Sequence, residues 1–347
     1  MCIFTHVSSN LSVSYGQAWG TGLISVEYEF EGESAHSAGA PWRGRSALDA
    51  AELMSIGWQY AREHVEPIQR SHHIIKNGGD QPNVVPSKAS IWFYFRHVNY
   101  PGIMDLYERG NKIAEGAALM TGTTVKRKVL GSAWPRHFNQ VIAETMYENI
   151  KDVGLPEWSE ADQTLAKALQ REVNSPRDTT GLATELSDLG LPVTTPRSGG
   201  SDDIGDISWK LPTVTMRFPS NIPGLQGHHW SNAVAMATPI AHKGVVAGAK
   251  AEAMTLIDFF LKPELVDQAW EYFRKEQGMK QEYIPMVTED DEPAIYLNTE
   301  IMQEFRPQLE KFYYDETKYD TYLEQLGIEY PTVREAGEQK GSTGGRR

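Results

Sequence analysis

Ser90-Ile91-Trp92-Phe93-Tyr94-Phe95-Arg96-His97, with Pro101-Gly102 opening a new segment just beyond it, is the stretch from which the fold is read. Successive side chains on a strand point to opposite faces, so Ile91, Phe93 and Phe95 share one face and Trp92, Tyr94 and Arg96 the other. The first face is wholly apolar and needs a layer packed on it. Downstream, Ile103, Leu106, Ile113, Ala117 and Met120 recur at helical spacing to about residue 120, and Thr123 to Leu130 reads as a strand. Upstream, Ser71 to Lys76 is a short strand closed by the turn signal Asn77-Gly78-Gly79. Before it, Ala47, Ala50, Ala51, Met54 and Trp58 mark a helix over Ser46 to Glu63, and Leu23 to Phe30 is rich in β-branched and aromatic residues. The order β-α-β-β-α-β is the split βαβ, ferredoxin-like pattern. It covers one sheet face with two helices and leaves the other open, and a second subunit is the simplest cover.

Around this unit the pattern changes. From about residue 135, helical segments (Val141 to Val153, Glu160 to Glu172, Ala241 to Phe260) alternate with short apolar runs such as Leu211 to Phe218, as in half of an α/β domain. Residues 263 to 335 read as helical and charged, and Gly337 to Arg347 as a flexible tail. The expected class is α/β: an α+β ferredoxin-like domain over residues 19–131, inserted between residues 1–18 and 132–262 of a partial α/β domain. A helical extension and tail follow over 263–347.

Composition narrows the function. The 347 residues carry 33 Lys and Arg against 46 Asp and Glu, a net charge of −13, which disfavours nucleic acid because phosphate binding needs a basic surface. No apolar run approaches the ~18 residues of a membrane span. The segment Met1 to Asn10 lacks the basic start of a signal peptide, and the single cysteine, Cys2, excludes an intrachain disulfide framework and any CxxC zinc site. A cytoplasmic protein without nucleic-acid or membrane partners is expected.

Four short features stand out as chemistry. Ser34-Ala35-His36-Ser37-Ala38 places a histidine on a loop after a strand, and Gln81-Pro82-Asn83-Val84-Val85-Pro86 holds an asparagine between prolines that restrict its backbone. Gly199-Gly200-Ser201-Asp202-Asp203-Ile204-Gly205-Asp206 is a glycine-bounded acidic loop, and Gly227-His228-His229-Trp230 a histidine pair. Singly, each has an ordinary explanation: a solvated loop histidine, a turn asparagine, a helix N-cap, and adjacent histidines that on a strand face opposite ways.

Together and in order, they resemble the M20 family of metallopeptidases and amidohydrolases, and within it the aminobenzoyl-glutamate hydrolases. The resemblance is carried by Phe30-Glu31-Gly32 through Ala35-His36-Ser37-Ala38, by Gly44-Arg45-Ser46-Ala47-Leu48-Asp49-Ala50 and by Pro82-Asn83-Val84-Val85-Pro86. Downstream it rests on Ile113 to Met120, Asp203 to Pro212 and Ile240-Ala241-His242-Lys243-Gly244. It covers roughly residues 3 to 260. It implies a lid or dimerisation domain, a homodimer formed through that lid, and hydrolysis of a small-molecule amide next to a carboxylate, of the p-aminobenzoyl-glutamate or N-acyl amino acid type. Two divalent metals, zinc or manganese, are the implied cofactors. By resemblance, His6 and His228 (or His229, one residue on) are metal ligands and His36 stabilises the oxyanion. Asn83 and Arg96 bind the substrate carboxylate, and Asp203 lines the cleft.

The family pattern also has an HxD ligand pair and an adjacent Glu-Glu pair ahead of the position of His6. No adjacent Glu-Glu pair occurs anywhere in this sequence. The expectation is therefore an N-terminally truncated chain, or one part of a split enzyme whose second subunit carries the remaining ligands, inactive alone. The alternative is a non-catalytic dimerising or substrate-binding module that uses the lid.

Overall fold

The structure, a computed structural model, describes residues 1–18, 20–176, 180–194 and 199–333. The tail read from Gly337 onward lies outside the described residues. The chain opens with strands β1 (Cys2–Ser8), β2 (Ser12–Val13) and β3 (Gly16–Gln17). It then builds β4 (Gly22–Glu31), α1 (Ala47–Ala61), β5 (Arg70–Asn77), β6 (Lys88–His97), α2 (Tyr100–Thr121) and β7 (Thr124–Ala133). After β8 (His137–Phe138) come α3 (Gln140–Val153), α4 (Glu160–Glu172), the short α5 (Ile204–Ser208) and β9 (Thr213–Pro219). Helices α6 (Trp230–Met236), α7 (Pro239–Leu261), α8 (Pro263–Tyr272), α9 (Thr299–Leu309) and α10 (Tyr322–Gln325) follow.

The ferredoxin-like expectation holds. Strands β5-β6-β4-β7 form one fully antiparallel sheet in that order, the split βαβ arrangement. Helix α1 starts where Ser46 accepts a hydrogen bond from Asp49 N, and α2 where Asn99 accepts one from Gly102 N; α2 stops at Gly122, whose φ of 67° suits glycine. The two helices bury Ala47, Ala50, Met54, Trp58, Ile103 and Leu106 against Ile24, Val26, Tyr28, Ile91, Phe93 and Phe95. Trp58 sits at the centre, edge-on to Phe93 at 5.9 Å and Phe95 at 4.8 Å, its indole N–H donating to Ser71 Oγ at 2.8 Å.

The open face is partly covered from within. Lys128, on that face, lies 4.3 Å from the ring centre of Tyr296, while Trp134, in the core on the helix side, donates from Nε1 to Ile284 O at 2.9 Å. The segment beyond α8 therefore straps the lid to the rest of the chain. It is less helical than its composition suggests: a π-turn covers Phe273–Gly278, and the next helix is α9.

The second sheet, β1-β9-β2, pairs β1 with β9 in parallel and β9 with β2 antiparallel. Val214 and Met216 on one face of β9 pack with Ile142, Met146, Ala247 and Ala251 of α3 and α7. Helix α7 crosses so close that a Cβ on Gly244 would lie 2.1 Å from Pro219 O. No helix of the described residues is long and apolar enough to cross a membrane.

Candidate active site

His36 and Asn83 sit together on the rim of the lid. His36 pairs with Val84 as an isolated antiparallel bridge, Val85 N donates to Ala35 O at 2.9 Å, and Ser37 N donates to Asn83 O at 3.0 Å. The backbone also sets the histidine's tautomer. Ala38 N and Gly39 N both donate to His36 Nδ1, at 3.2 and 3.1 Å. With Nδ1 accepting, the neutral ring carries its proton on Nε2, and the exposed side chain presents that N–H outward. Asn83 is also exposed.

Arg96 lies elsewhere. It sits near the C-terminal end of β6, on the open face with Tyr94, whose ring centre is 5.3 Å from the guanidinium carbon. Its Nη1 donates to Ser201 Oγ at 2.9 Å, its buried Nε has no hydrogen-bond partner among the described residues, and burial holds its pKa below the ordinary arginine value. No carboxylate of the described residues pairs with it. Eight residues of strand separate Lys88, near Asn83, from Arg96, roughly 26 Å at the extended-strand rise. The structure therefore brings Asn83 to His36 and keeps Arg96 away from both.

The acidic loop docks on the root of the lid. Thr21 Oγ1 donates to Gly199 O at 2.9 Å, Thr21 N to Gly200 O at 3.3 Å, and Ser201 Oγ to Thr21 O. Asp203 is exposed and makes no capping bond to α5. Its neighbour Asp202 makes the inward contact, an ion pair with Arg136 at 2.9 Å, leaving its Oδ1 buried without a hydrogen bond. Arg136 and Arg217 were not singled out from the sequence, and Asp202 only as a member of the acidic loop. The signal for Arg217 was present, because Thr213, Thr215 and Arg217 alternate with Val214, Met216 and Phe218 in the run read simply as apolar.

His6 is exposed on β1, in register with Arg217 of β9. Its Nδ1 lies 2.8 Å from Val7 O and 3.3 Å from Arg217 Nη1, contacts that require opposite tautomers. His228 follows the C-terminal end of β9, exposed, with a left-handed φ of 56° that non-glycine residues seldom adopt. His229 is spent on structure: it caps α6, its Nδ1 accepting from Ser231 N at 3.4 Å and lying 2.9 Å from Ser231 Oγ. His6 lies in the C-terminal half of β1, and His228 nine residues beyond the end of β9.

These residues do not fit a two-metal centre. A catalytic zinc takes about three protein ligands plus water. No group of three or more His, Cys, Asp or Glu side chains converges among the described residues, and the nearest charge to His6 is the Arg217 guanidinium, which repels a cation.

The ferredoxin-like unit thus carries the His36–Asn83 rim and, on its open face, an Arg96 that pairs with no carboxylate of the described residues. Residues 21–115 match the peptidase dimerisation domain of the M20 type. The chain is 34% identical to one of the subunits of p-aminobenzoyl-glutamate hydrolase of Escherichia coli (strain K12), over 71% of its own length and 56% of that protein. It is 29% identical to Xaa-Arg dipeptidase of Homo sapiens over 72% of its own length and 50% of that protein. A solved aminobenzoyl-glutamate utilization protein from Klebsiella pneumoniae is similar at 16% identity and a TM-score of 0.44, over 72% of this chain and 53% of that one. The chain is thus a relative of the M20 hydrolases and carries their dimerisation domain. It spans about half the length of the curated relatives it matches.

Proposed function

We propose that this chain supplies the lid and one wall of the active site of an M20-type amidohydrolase that cleaves a small amide next to a carboxylate. A p-aminobenzoyl-glutamate-like or N-acyl amino acid substrate fits this reading. What carries it is the arrangement of His36: two backbone N–H groups hold Nδ1 as an acceptor, so Nε2–H is aimed outward beside Asn83. In that state His36 donates to the oxygen of a scissile carbonyl as negative charge develops there, and Nε2 needs no proton exchange to do so. Arg96 takes the substrate carboxylate through its planar fork, exchanging its contact with Ser201 Oγ for a charge-assisted pair. Because Arg96 lies far along β6 from His36 and Asn83, one small substrate reaches both only if two copies of the lid contribute. A homodimer formed through the lid therefore belongs to the proposal.

The complete family site uses two divalent ions, zinc or manganese. Of its ligands, His6 and His228 are the positions in this chain that resemble the family pattern, and His228 is preferred to the capping His229. Two imidazoles do not hold two metals, so the remaining ligands and the general base come from a further segment or another polypeptide. By itself this polypeptide does not turn over. The alternative, a non-catalytic dimerising or substrate-binding module, is favoured by one observation: among the described residues no three-ligand metal cluster forms.

The test is hydrolysis of p-aminobenzoyl-glutamate by the purified chain with Mn²⁺ or Zn²⁺ added, alongside metal titration by calorimetry. No turnover and no tight stoichiometric site are expected. Turnover with bound metal overturns the claim of inactivity. Failure of the chain to dimerise in light scattering removes the composite site.

A further inference from the structure

The face of β9 turned away from α7 carries a polar row. Arg217 stands in register between His6 of β1 and Ser12 of β2, and Thr215 lies two residues back on the same face. This row floors a cavity of about 340 Å³, walled by Ser14, Tyr15, Arg136, Phe138 and Leu191. Its position, under the inner end of the lid, separates it from the His36 rim.

Two features of the cavity are incomplete. The Arg217 side chain is half-buried, and among the described residues its hydrogen-bond contact is the His6 ring at 3.3 Å. The Thr215 residue is 4% exposed, and its buried hydroxyl has no hydrogen-bond partner. The nearby carboxylate, Asp202, is paired through Oδ2 with Arg136 at 2.9 Å, and among the described residues no ion pair joins it to Arg217. Asp188, the other acid on the wall, is exposed. Arg217 is thus a half-buried cation with no ion-paired carboxylate among the described residues, and an anion in the cavity would complete it with a charge-assisted contact. A bare inorganic anion would leave most of the space empty, and Val13, Tyr15, Phe138 and Leu191 give the wall an apolar side.

We infer that this cavity is a binding site for a small organic carboxylate, its carboxylate held by Arg217 and the Thr215 hydroxyl and its carbon skeleton against Tyr15, Phe138 and Leu191. The site is separate from the one proposed for Arg96, and it stands or falls without that reading.

Calorimetry of the full chain tests it, with benzoate, glutarate and inorganic phosphate as ligands at constant ionic strength set by chloride. Saturable binding of a carboxylate, tighter than phosphate, is expected. Arg217→Gln should weaken it by roughly tenfold or more, the loss of a charge-assisted contact, and Thr215→Val by roughly threefold to fivefold. Lys112→Gln, the loss of an exposed charge on α2, should leave it unchanged. Thr215→Val keeps every charge and serves if Arg217→Gln fails to fold. The inference is overturned if no carboxylate saturates, if phosphate binds as well as or better than the carboxylates, or if Thr215→Val has no effect. It is also overturned if Arg96→Gln, and not Arg217→Gln, abolishes binding. That last result would support the Arg96 site while removing this one.

Discussion

Replacing Asp162 by alanine should destabilise the chain by about 3 kcal/mol at neutral pH, because a buried ion pair loses one partner. The carboxylate is fully buried and ties three parts of the molecule together. Oδ2 accepts from Ser159 N at 2.8 Å, closing the capping box of α4, and from Lys243 Nζ of α7 at 2.6 Å, while Oδ1 accepts from Tyr330 OH at 2.8 Å. Breaking a buried ion pair by removing one partner costs about 3–5 kcal/mol. The Lys243 side chain is 36% exposed and regains water when its partner goes, which pulls the figure to the low end. The sign with pH follows from the environment. Burial pushes the Asp162 carboxyl up, and the bonds from Lys243, Ser159 and Tyr330 together outweigh it, leaving its pKa below the ordinary value. A group with a depressed folded pKa contributes fully above its unfolded pKa of about 3.9 and loses that contribution as pH falls through the folded value. The gap between wild type and Asp162→Ala should be flat above about pH 5 and close on acidification. Urea unfolding of both proteins from pH 3 to 8 measures it. A loss under ~1 kcal/mol at pH 7, or a gap that widens on acidification, refutes the reasoning.

His137 gives a second pH effect. Burial, with Lys280 nearby, lowers its pKa to about 4. The unfolded chain therefore binds the proton first, and stability should fall as pH drops from about 6.5 to 4, by an amount on the order of 3 kcal/mol. NMR titration of its ring protons and the flattened stability profile of His137→Phe check this. In a hydrolytically active assembly, His36→Ala should lower kcat by about 10²–10³-fold with the dimer intact, read by steady-state kinetics and light scattering. In the same assembly Arg96→Met should raise KM for a carboxylate-bearing amide and leave an amide lacking the carboxylate unaffected, and lysine should not rescue it because it lacks the fork. Trp58→Ala should cost about 3–5 kcal/mol in chemical unfolding, since the indole fills the centre of the lid core.

The lid was legible because its signals are local. Alternation over residues 90–97, helical spacing in Ala47 to Trp58 and the turn at Asn77-Gly78-Gly79 each declare an element within a few residues, and their order leaves one common topology. Candidate residues on loops, His36 and Asn83, were legible for the same reason, as short motifs with their neighbours. Charge partnerships were not. Nothing near Asp203 in the chain indicates that Asp202 turns inward to Arg136, 66 positions away, while Asp203 faces solvent. The segment after residue 263 was read by composition as helical, yet its buried anchors, Gln277 and Met286, are isolated polar and apolar residues whose meaning depends on what they meet.

By itself, then, the sequence determined the ferredoxin-like lid, its two covering helices and the histidine and asparagine on its rim, because periodicity and turn chemistry act over a few residues. Only the tertiary structure decided that Arg96 stands at the far end of β6 from that rim and that His229 is spent capping α6. It alone showed that β9 carries Arg217 and Thr215 into a cavity. For Arg96 and for the cavity the physical reason is the same: strand register and the side chains that meet across it are set by packing between segments distant in the chain; the His229 cap is local, to Ser231 two residues on, and was decided by where α6 begins.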